Sequence, residues 1–245
     1  MQGRGRWLLG YPMRTEHRPG ILWESTRCLT VAKPAGMSVF PPHADPTGDC
    51  VLARLLAARP EQDGDWPAGF AGGIAHRLDI PTSGLLLVAK TPADLIWLRA
   101  LFAEKHLTKT YHFLTIKNPS WSRHTITAQI AHDRSRKKRM VVRRGHQTPH
   151  RGKWLEAETT FTRLSRVGRL WRWSAVMRSG VMHQIRAHAG FAGLALAGDR
   201  LYGGGAAQPD FPVSFALHHI GLTGPGLAPP KCRAPGWWST AGSDA

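Results

Sequence analysis

The sequence holds little that would mark a secreted, metal-binding or nucleotide-dependent protein. Cysteine is scarce: Cys28, Cys50 and Cys232 are odd in number and widely spaced, and no CxxC pair occurs. That excludes a disulfide framework and a cysteine zinc site, and reduced thiols suit a cytoplasmic protein. Long apolar runs are missing too. Nothing approaches the roughly 20 apolar residues a membrane-spanning helix needs, and Trp7-Leu8-Leu9 is too short for a signal-peptide core. No GxxxxGK or GxGxxG stretch exists, so no nucleotide cofactor is expected. His183 and His188 lie five apart, which is not the spacing of two ligands on one helix face, and no third ligand is in view, so no metal is expected. Internal repeats are absent as well.

Acid is the other shortage. Asp and Glu number 16 against 33 Lys and Arg in 245 residues, a formal net charge of +17. Such an excess attracts polyanions: nucleic acid, an anionic membrane surface or an acidic protein. The accompanying aromatic and amide side chains favour nucleic acid. The apolar fraction of 42% is that of a chain with a core, not of a disordered one.

Short patterns predict the elements. Ile21 to Glu24 and Leu29 to Ala32 read as paired strands, and Lys33-Pro34-Ala35-Gly36 breaks them. Asp49 is placed to cap a helix through Val51–Leu56. Leu85-Leu86-Leu87-Val88 reads as a buried strand. Thr91 as N-cap, Pro92 at the first helical position and Asp94 in the first turn start a second helix. Residues 110–116, 125–130, 157–164 and 170–176 read as strands and 183–191 as a helix. The mixture lacks a regular βαβ alternation, so the expected class is α+β with a central, mainly antiparallel sheet, flanking helices and a basic cleft. The expected divisions are an irregular basic arm (1–20), one domain (21–222) and a Pro/Gly-rich irregular tail (223–245).

Chemistry concentrates in His76-Arg77-Leu78-Asp79-Ile80-Pro81-Thr82-Ser83-Gly84-Leu85-Leu86-Leu87-Val88-Ala89-Lys90. A carboxylate, an arginine and a histidine sit in a loop feeding a buried strand, a common setting for active sites; a structural salt bridge in a turn is the alternative. A kinase catalytic loop is excluded, because a Leu separates Arg from Asp and the Gly-rich loop and Asp-Phe-Gly are missing. A second feature is the basic run from Arg134 to Arg144, which includes Arg136, Lys137, Lys138 and Arg139. Its bland reading is a solvated charged loop and its sharper one a contact to a nucleic-acid backbone; the resemblance given next favours the second, with RNA as the nucleic acid.

The long segment resembles the HRLDxxTSGLLLxAK signature of the RluA-type pseudouridine synthases, at every fixed position. Weaker segments follow in that family's order: Leu29–Met37 with its Lys-Pro-x-Gly, Lys109-Thr110-Tyr111, His183-Gln184-Ile185-Arg186-Ala187-His188, Gly198–Gly203 and Leu217-His218-His219. The resemblance spans about residues 21–222. It implies that Asp79 is the essential carboxylate, which starts cleavage of the uridine glycosidic bond before the base turns and rejoins the ribose through carbon. It further implies that Tyr111 stacks on the target base, that Arg186 pairs with Asp79, that Ile185 walls the pocket and that Arg77 helps displace the nucleotide. The implied partner is RNA, ribosomal ahead of transfer RNA, acted on by a monomer.

One stretch departs from that pattern. Ser179-Gly180-Val181-Met182 stands where the family usually has Thr-Gly-Arg-Thr. This motivates a rival expectation, a catalytically inactive RNA-binding protein or RNA chaperone on a synthase scaffold. Only about 20 residues precede the first strand. The small RNA-binding domain of many relatives is therefore expected to be missing, with RNA affinity supplied by the catalytic domain.

Overall fold

The computed structural model describes residues 20–42, 45–206, 208 and 211–240. The expected basic arm, apart from Gly20, lies outside the described residues.

In chain order the elements are β1 (Ile21–Glu24), β2 (Cys28–Lys33), α1 (Val51–Ala58), β3 (Ser83–Ala89), α2 (Pro92–Ala103), β4 (Thr108–Thr115), β5 (Arg123–Thr127), β6 (Ile130–Asp133), β7 (Met140–Val142), β8 (His150–Leu155), β9 (Glu158–Val167), β10 (Leu170–Met177), α3 (Gln184–Phe191), β11 (Leu217–Thr223) and α4 (Trp237–Thr240). Eight strands form one sheet in the order β1-β2-β3-β11-β4-β10-β9-β5, and β7-β6-β8 form a second, smaller one. All pairs are antiparallel except β3 with β11. The α+β expectation holds.

The β3–β11 pair is the seam of the large sheet, registered through His218 with Ser83 and His219 with Gly84. Gly84 has φ +118, and a Cβ there would lie 2.3 Å from the His219 carbonyl oxygen. Only glycine allows both that backbone conformation and that approach. Beyond it, Leu85 to Val88 are fully buried. Alternation sends Leu86 and Val88 into the core shared with Tyr111, Phe113, Phe161 and Ile185, while Leu85 and Leu87 face Leu95 and Leu98 of α2. A strand covered on both faces has no polar side, hence the unbroken apolar run.

The second helix starts as expected. The Thr91 hydroxyl accepts the Asp94 N–H at 3.1 Å and donates to the Asp94 carboxylate at 2.7 Å. For α1 the cap is Cys50, not Asp49: the Cys50 sulfur accepts from the Ala53 N–H, and the Asp49 carboxylate pairs with Arg54.

Residues 125–130 are not one strand. The chain leaves the large sheet after Thr127 and enters the small one at Ile130. The break is held by His188 Nε2 on the Ala128 carbonyl and by the Arg143 N–H on the Gln129 carbonyl.

The basic run is likewise divided. Its first half is the turn between β6 and β7, while Met140 and Val142 are buried with Ile130, Ala157, Ala187 and Tyr202, docking the small sheet on α3.

Between Gly224 and Trp238 the chain is largely irregular but anchored by buried side chains, and residues 241–245 lie outside the described residues. Leu227 and Cys232 are buried in the α2-side core, and Trp238 packs beside Leu114 and Leu170. Widely spaced apolar anchors among prolines and glycines carry no period, which is why the pattern reads as irregular.

Candidate active site

Asp79 sits in the loop entering β3, its side chain 37% exposed. The loop is pinned from below. The Ile80 carbonyl accepts from the Gly36 N–H at 2.8 Å and from Lys33 Nζ at 3.0 Å. The Lys33 ammonium also donates to the carbonyls of Pro34 (3.0 Å) and Met37 (2.6 Å), so the three donors of this buried side chain have three acceptors. Burial pushes the Lys33 pKa down to about 8, and the negative charge of Asp79 opposes the fall. Upstream, the His76 ring accepts the Leu87 N–H and the Ala75 N–H donates to the Leu87 carbonyl, tying the segment ahead of Asp79 to β3.

Arg186 comes from α3. Its Nη1 lies 3.6 Å from Asp79 Oδ2, while Nε and Nη2 form a two-point contact with Asp199, at 2.7 and 2.9 Å. The Arg186 and Asp199 side chains are 9% and 1% exposed. Stacking locks the guanidinium further, at 4.4 Å from the Phe215 ring centre and 5.1 Å from that of Tyr202. Burial works against the Arg186 charge, but the Asp199 hydrogen bonds and the charges of Asp199 and Asp79 outweigh it, so the pKa is raised.

Tyr111 on β4 is buried at 6% exposure and stacks on His219 at 4.4 Å with an interplanar angle of 15°. The two residues are direct cross-strand partners, which is what brings the rings together. Burial, aided by the charge of Asp79, raises the phenol pKa, so the ring stays neutral. Ile185 is buried in the core beside it.

Asp79, Tyr111, Ile185 and Arg186, expected together, thus converge from the β3 loop, β4 and α3. Arg77 is exposed beside them in the chain. Arg136, Lys137 and Lys138 are exposed on the β6–β7 turn. Arg139 differs: its Nη1 is 2.9 Å from Asp133 Oδ2, and its guanidinium lies over the Tyr202 ring at 5.8 Å.

A cavity of about 780 Å³ lies near the Asp79 loop, lined by Lys33, Ile80, Ser83, His218 and Arg233, but Asp79 does not line it. Convergence of side chains, not cavity size, marks the candidate site. Among the described residues no group of three His, Cys, Asp or Glu side chains is positioned to hold a metal.

Sequence reasoning assigned no role to Asp199, Tyr202, His183 or Lys33, although each lies in a quoted motif. His183 Nε2 is 3.6 Å from Asp79 Oδ2, and its Nδ1 is 3.0 Å from the Tyr202 hydroxyl. The signal was the bare presence of Gly198-Asp199-Arg200-Leu201-Tyr202-Gly203 after the helix. Of the departing residues, Val181 packs against the small-sheet core and Met182 is 41% exposed.

The family described as RNA pseudouridylate synthase matches residues 27–190. The chain belongs to that family. Among synthase relatives, an RNA pseudouridine synthase of Synechocystis is 33% identical over 187 residues, covering 74% of this chain and 54% of its own length. The ribosomal large subunit pseudouridine synthase D of Zymomonas mobilis is 32% identical over 184 residues, covering 75% and 55%. The chain thus spans about half the length of the curated relatives it matches. A solved synthase-domain structure, human RNA pseudouridylate synthase domain containing 1, superposes with a TM-score of 0.70 at 23% identity, covering 89% of this chain and 83% of that one, and shows the shared fold. The synthase match encloses Asp79, Tyr111, Ile185 and Arg186 but ends before Asp199 and Tyr202. No helix among the described residues is long and apolar enough to cross a membrane.

Proposed function

We propose that the protein isomerises uridine to pseudouridine in RNA, with Asp79 as the reacting carboxylate. The observation that carries this reading is a partly exposed carboxylate with an immobilised guanidinium 3.6 Å away, beside a tyrosine ring on the neighbouring strand pair. Asp79 starts the reaction by attacking the sugar or by removing a proton from it. The N1–C1′ bond breaks, the base turns, and a C5–C1′ bond forms; C5 gives up a proton and N1 gains one. The product is an isomer, so no water, oxidant or group donor enters the balance.

Arg186 places a positive charge 3.6 Å from the carboxylate, an attraction that strengthens when bound RNA covers the partly exposed site. Tyr111, backed by His219, is the surface on which the detached base rests, and Ile185 walls it in. Holding the free base against the sugar supplies several kcal/mol of the barrier reduction through positioning alone. A uridine in folded RNA must first leave its stack, at a cost of a few kcal/mol. Exposed Arg77 assists that extrusion, and Arg136, Lys137 and Lys138 on the β6–β7 turn bind phosphates in a salt-dependent manner. Ribosomal RNA is the substrate class put first, because a relative carries that assignment in its name, with transfer RNA second.

The test is release of tritium from cellular RNA labelled at C5 of uridine. Wild-type protein releases it, and Asp79→Asn does not. Equal release from both defeats the role of Asp79. RNA binding without release from either favours the inactive RNA-binding reading, to which Val181 and Met182 lend support.

A further inference from the structure

His183 immediately precedes α3 and has φ +54, a left-handed conformation uncommon for any residue but Gly. Residues at this position ordinarily cap the helix with a side chain. The His183 side chain makes no capping hydrogen bond. Its ring, 14% exposed, lies instead between Tyr202 and Asp79.

The contacts of Tyr202 and Asp79 together favour one ring tautomer. The Tyr202 hydroxyl oxygen accepts the Met140 N–H at 2.9 Å. Its own proton then has His183 Nδ1, at 3.0 Å, as acceptor. A neutral ring that accepts at Nδ1 bears its hydrogen at Nε2. Nε2 is the nitrogen directed at Asp79 Oδ2, 3.6 Å away, and Arg186 Nη1 approaches the same oxygen at 3.6 Å. Both separations are longer than a direct hydrogen bond, by a few tenths of an ångström. Oδ2 is thus the Asp79 oxygen nearest to both groups.

We propose that His183 is a positioning residue, which with Arg186 holds Asp79 through Oδ2 so that Oδ1 is the oxygen presented to the ribose. The inference rests on the function proposed above. Tyr202 sets the tautomer, and the Met140 backbone at the end of the basic turn sets Tyr202. The titratable and charged groups facing His183 are Asp79 from the β3 loop, Arg186 from α3, and Asp199 and Tyr202 from the segment after α3, with Arg139 beyond the Tyr202 ring. Burial and Arg186 lower the His183 pKa against the pull of Asp79 and Asp199, which favours the neutral ring.

Three variants and one spectrum test this. His183→Asn tolerates the left-handed backbone but is too short to reach Asp79. His183→Gln extends an amide N–H towards the position of Nε2. Tyr202→Phe keeps the ring beside Arg186 and removes the hydroxyl. At saturating RNA, the single-turnover rate of His183→Asn is expected to fall by about 100-fold, the scale of a misplaced reacting group. His183→Gln should recover most of the rate, while RNA affinity and melting temperature stay at wild-type values in both. Tyr202→Phe should lower the rate with the same unchanged affinity. A full rate in His183→Asn, or no recovery in His183→Gln, overturns the proposal.

Nitrogen-15-edited NMR of the wild-type imidazoles gives a readout independent of turnover. The Nε2–H tautomer is expected for His183 at neutral pH and should be lost in Tyr202→Phe. An Nδ1–H tautomer or an imidazolium overturns the positioning role even in an active enzyme. Absence of turnover in wild type, with the Nε2–H tautomer present, overturns the proposed function instead.

Discussion

Asp199 holds Arg186 through Nε at 2.7 Å and Nη2 at 2.9 Å, and the one terminal nitrogen left over is the one facing Asp79. The orientation of the Arg186 cation is therefore set by a second carboxylate that is 1% exposed.

Removing that carboxylate should cost both stability and rate. In Asp199→Ala the Arg186 charge stays buried without its partner, a change worth about 3–5 kcal/mol. Urea unfolding is expected to show the loss as a lower midpoint with an unchanged slope. Asp199→Asn, which keeps an acceptor oxygen, should lose less stability while still lowering the single-turnover rate. Wild-type stability in Asp199→Ala contradicts the assignment.

Lys33 makes the rate sensitive to alkali. Its folded pKa of about 8 lies below its ordinary 10.5. Between those values the unfolded chain binds more protons than the folded one, so this group makes stability rise with pH there. Function moves the other way. A neutral amine has two hydrogens for the carbonyls of Pro34, Met37 and Ile80, and the clamp on the Asp79 loop weakens. The single-turnover rate should therefore fall with a midpoint near pH 8 while the melting temperature does not. Lys109 also has its pKa pushed down by burial to about 8. Lys109→Met should keep the alkaline fall, whereas Lys33→Met should be slow at every pH. Loss of the fall in Lys109→Met transfers it to that residue.

Gly84→Ala tests the seam of the large sheet. The added Cβ meets the His219 backbone at 2.3 Å and the backbone conformation is strained besides. A destabilisation of at least about 2 kcal/mol is expected. Thermal unfolding reads it directly, and a melting temperature equal to wild type rules out the close β3–β11 approach.

The basic turn should act on affinity alone. Replacing Arg136, Lys137 and Lys138 by Ala removes three exposed cations. The slope of log affinity against log salt should shrink by about 2 to 3. Turnover at saturating RNA should not change. Arg139→Ala, by contrast, breaks a partly exposed pair with Asp133 and should lower stability by about 1 kcal/mol or less. An unaltered salt slope in the triple variant separates the turn from RNA binding.

Much of the fold was legible because local rules suffice for it. Thr91, Pro92 and Asp94 start α2 through bonds between residues three apart. Leu85 to Val88 announce a strand buried on both faces. Where charge overrides period the pattern misleads: Met140 and Val142 form a buried strand inside a basic run, and Trp238 anchors a stretch of prolines and glycines. Cys50 displaced Asp49 as a cap because Arg54 claims the Asp49 carboxylate.

The sequence alone determined the family resemblance, the charge that suits a polyanion and the candidates Asp79, Tyr111 and Arg186, since these are written in contiguous motifs. Only the tertiary structure decided which groups hold them: Asp199 behind Arg186, Lys33 beneath the Asp79 loop, His219 behind Tyr111, and Tyr202 joining Met140 to His183. Several of those partners come from distant parts of the chain. Their contacts depend on how the β3 loop, α3 and the small sheet dock, which local propensity does not encode.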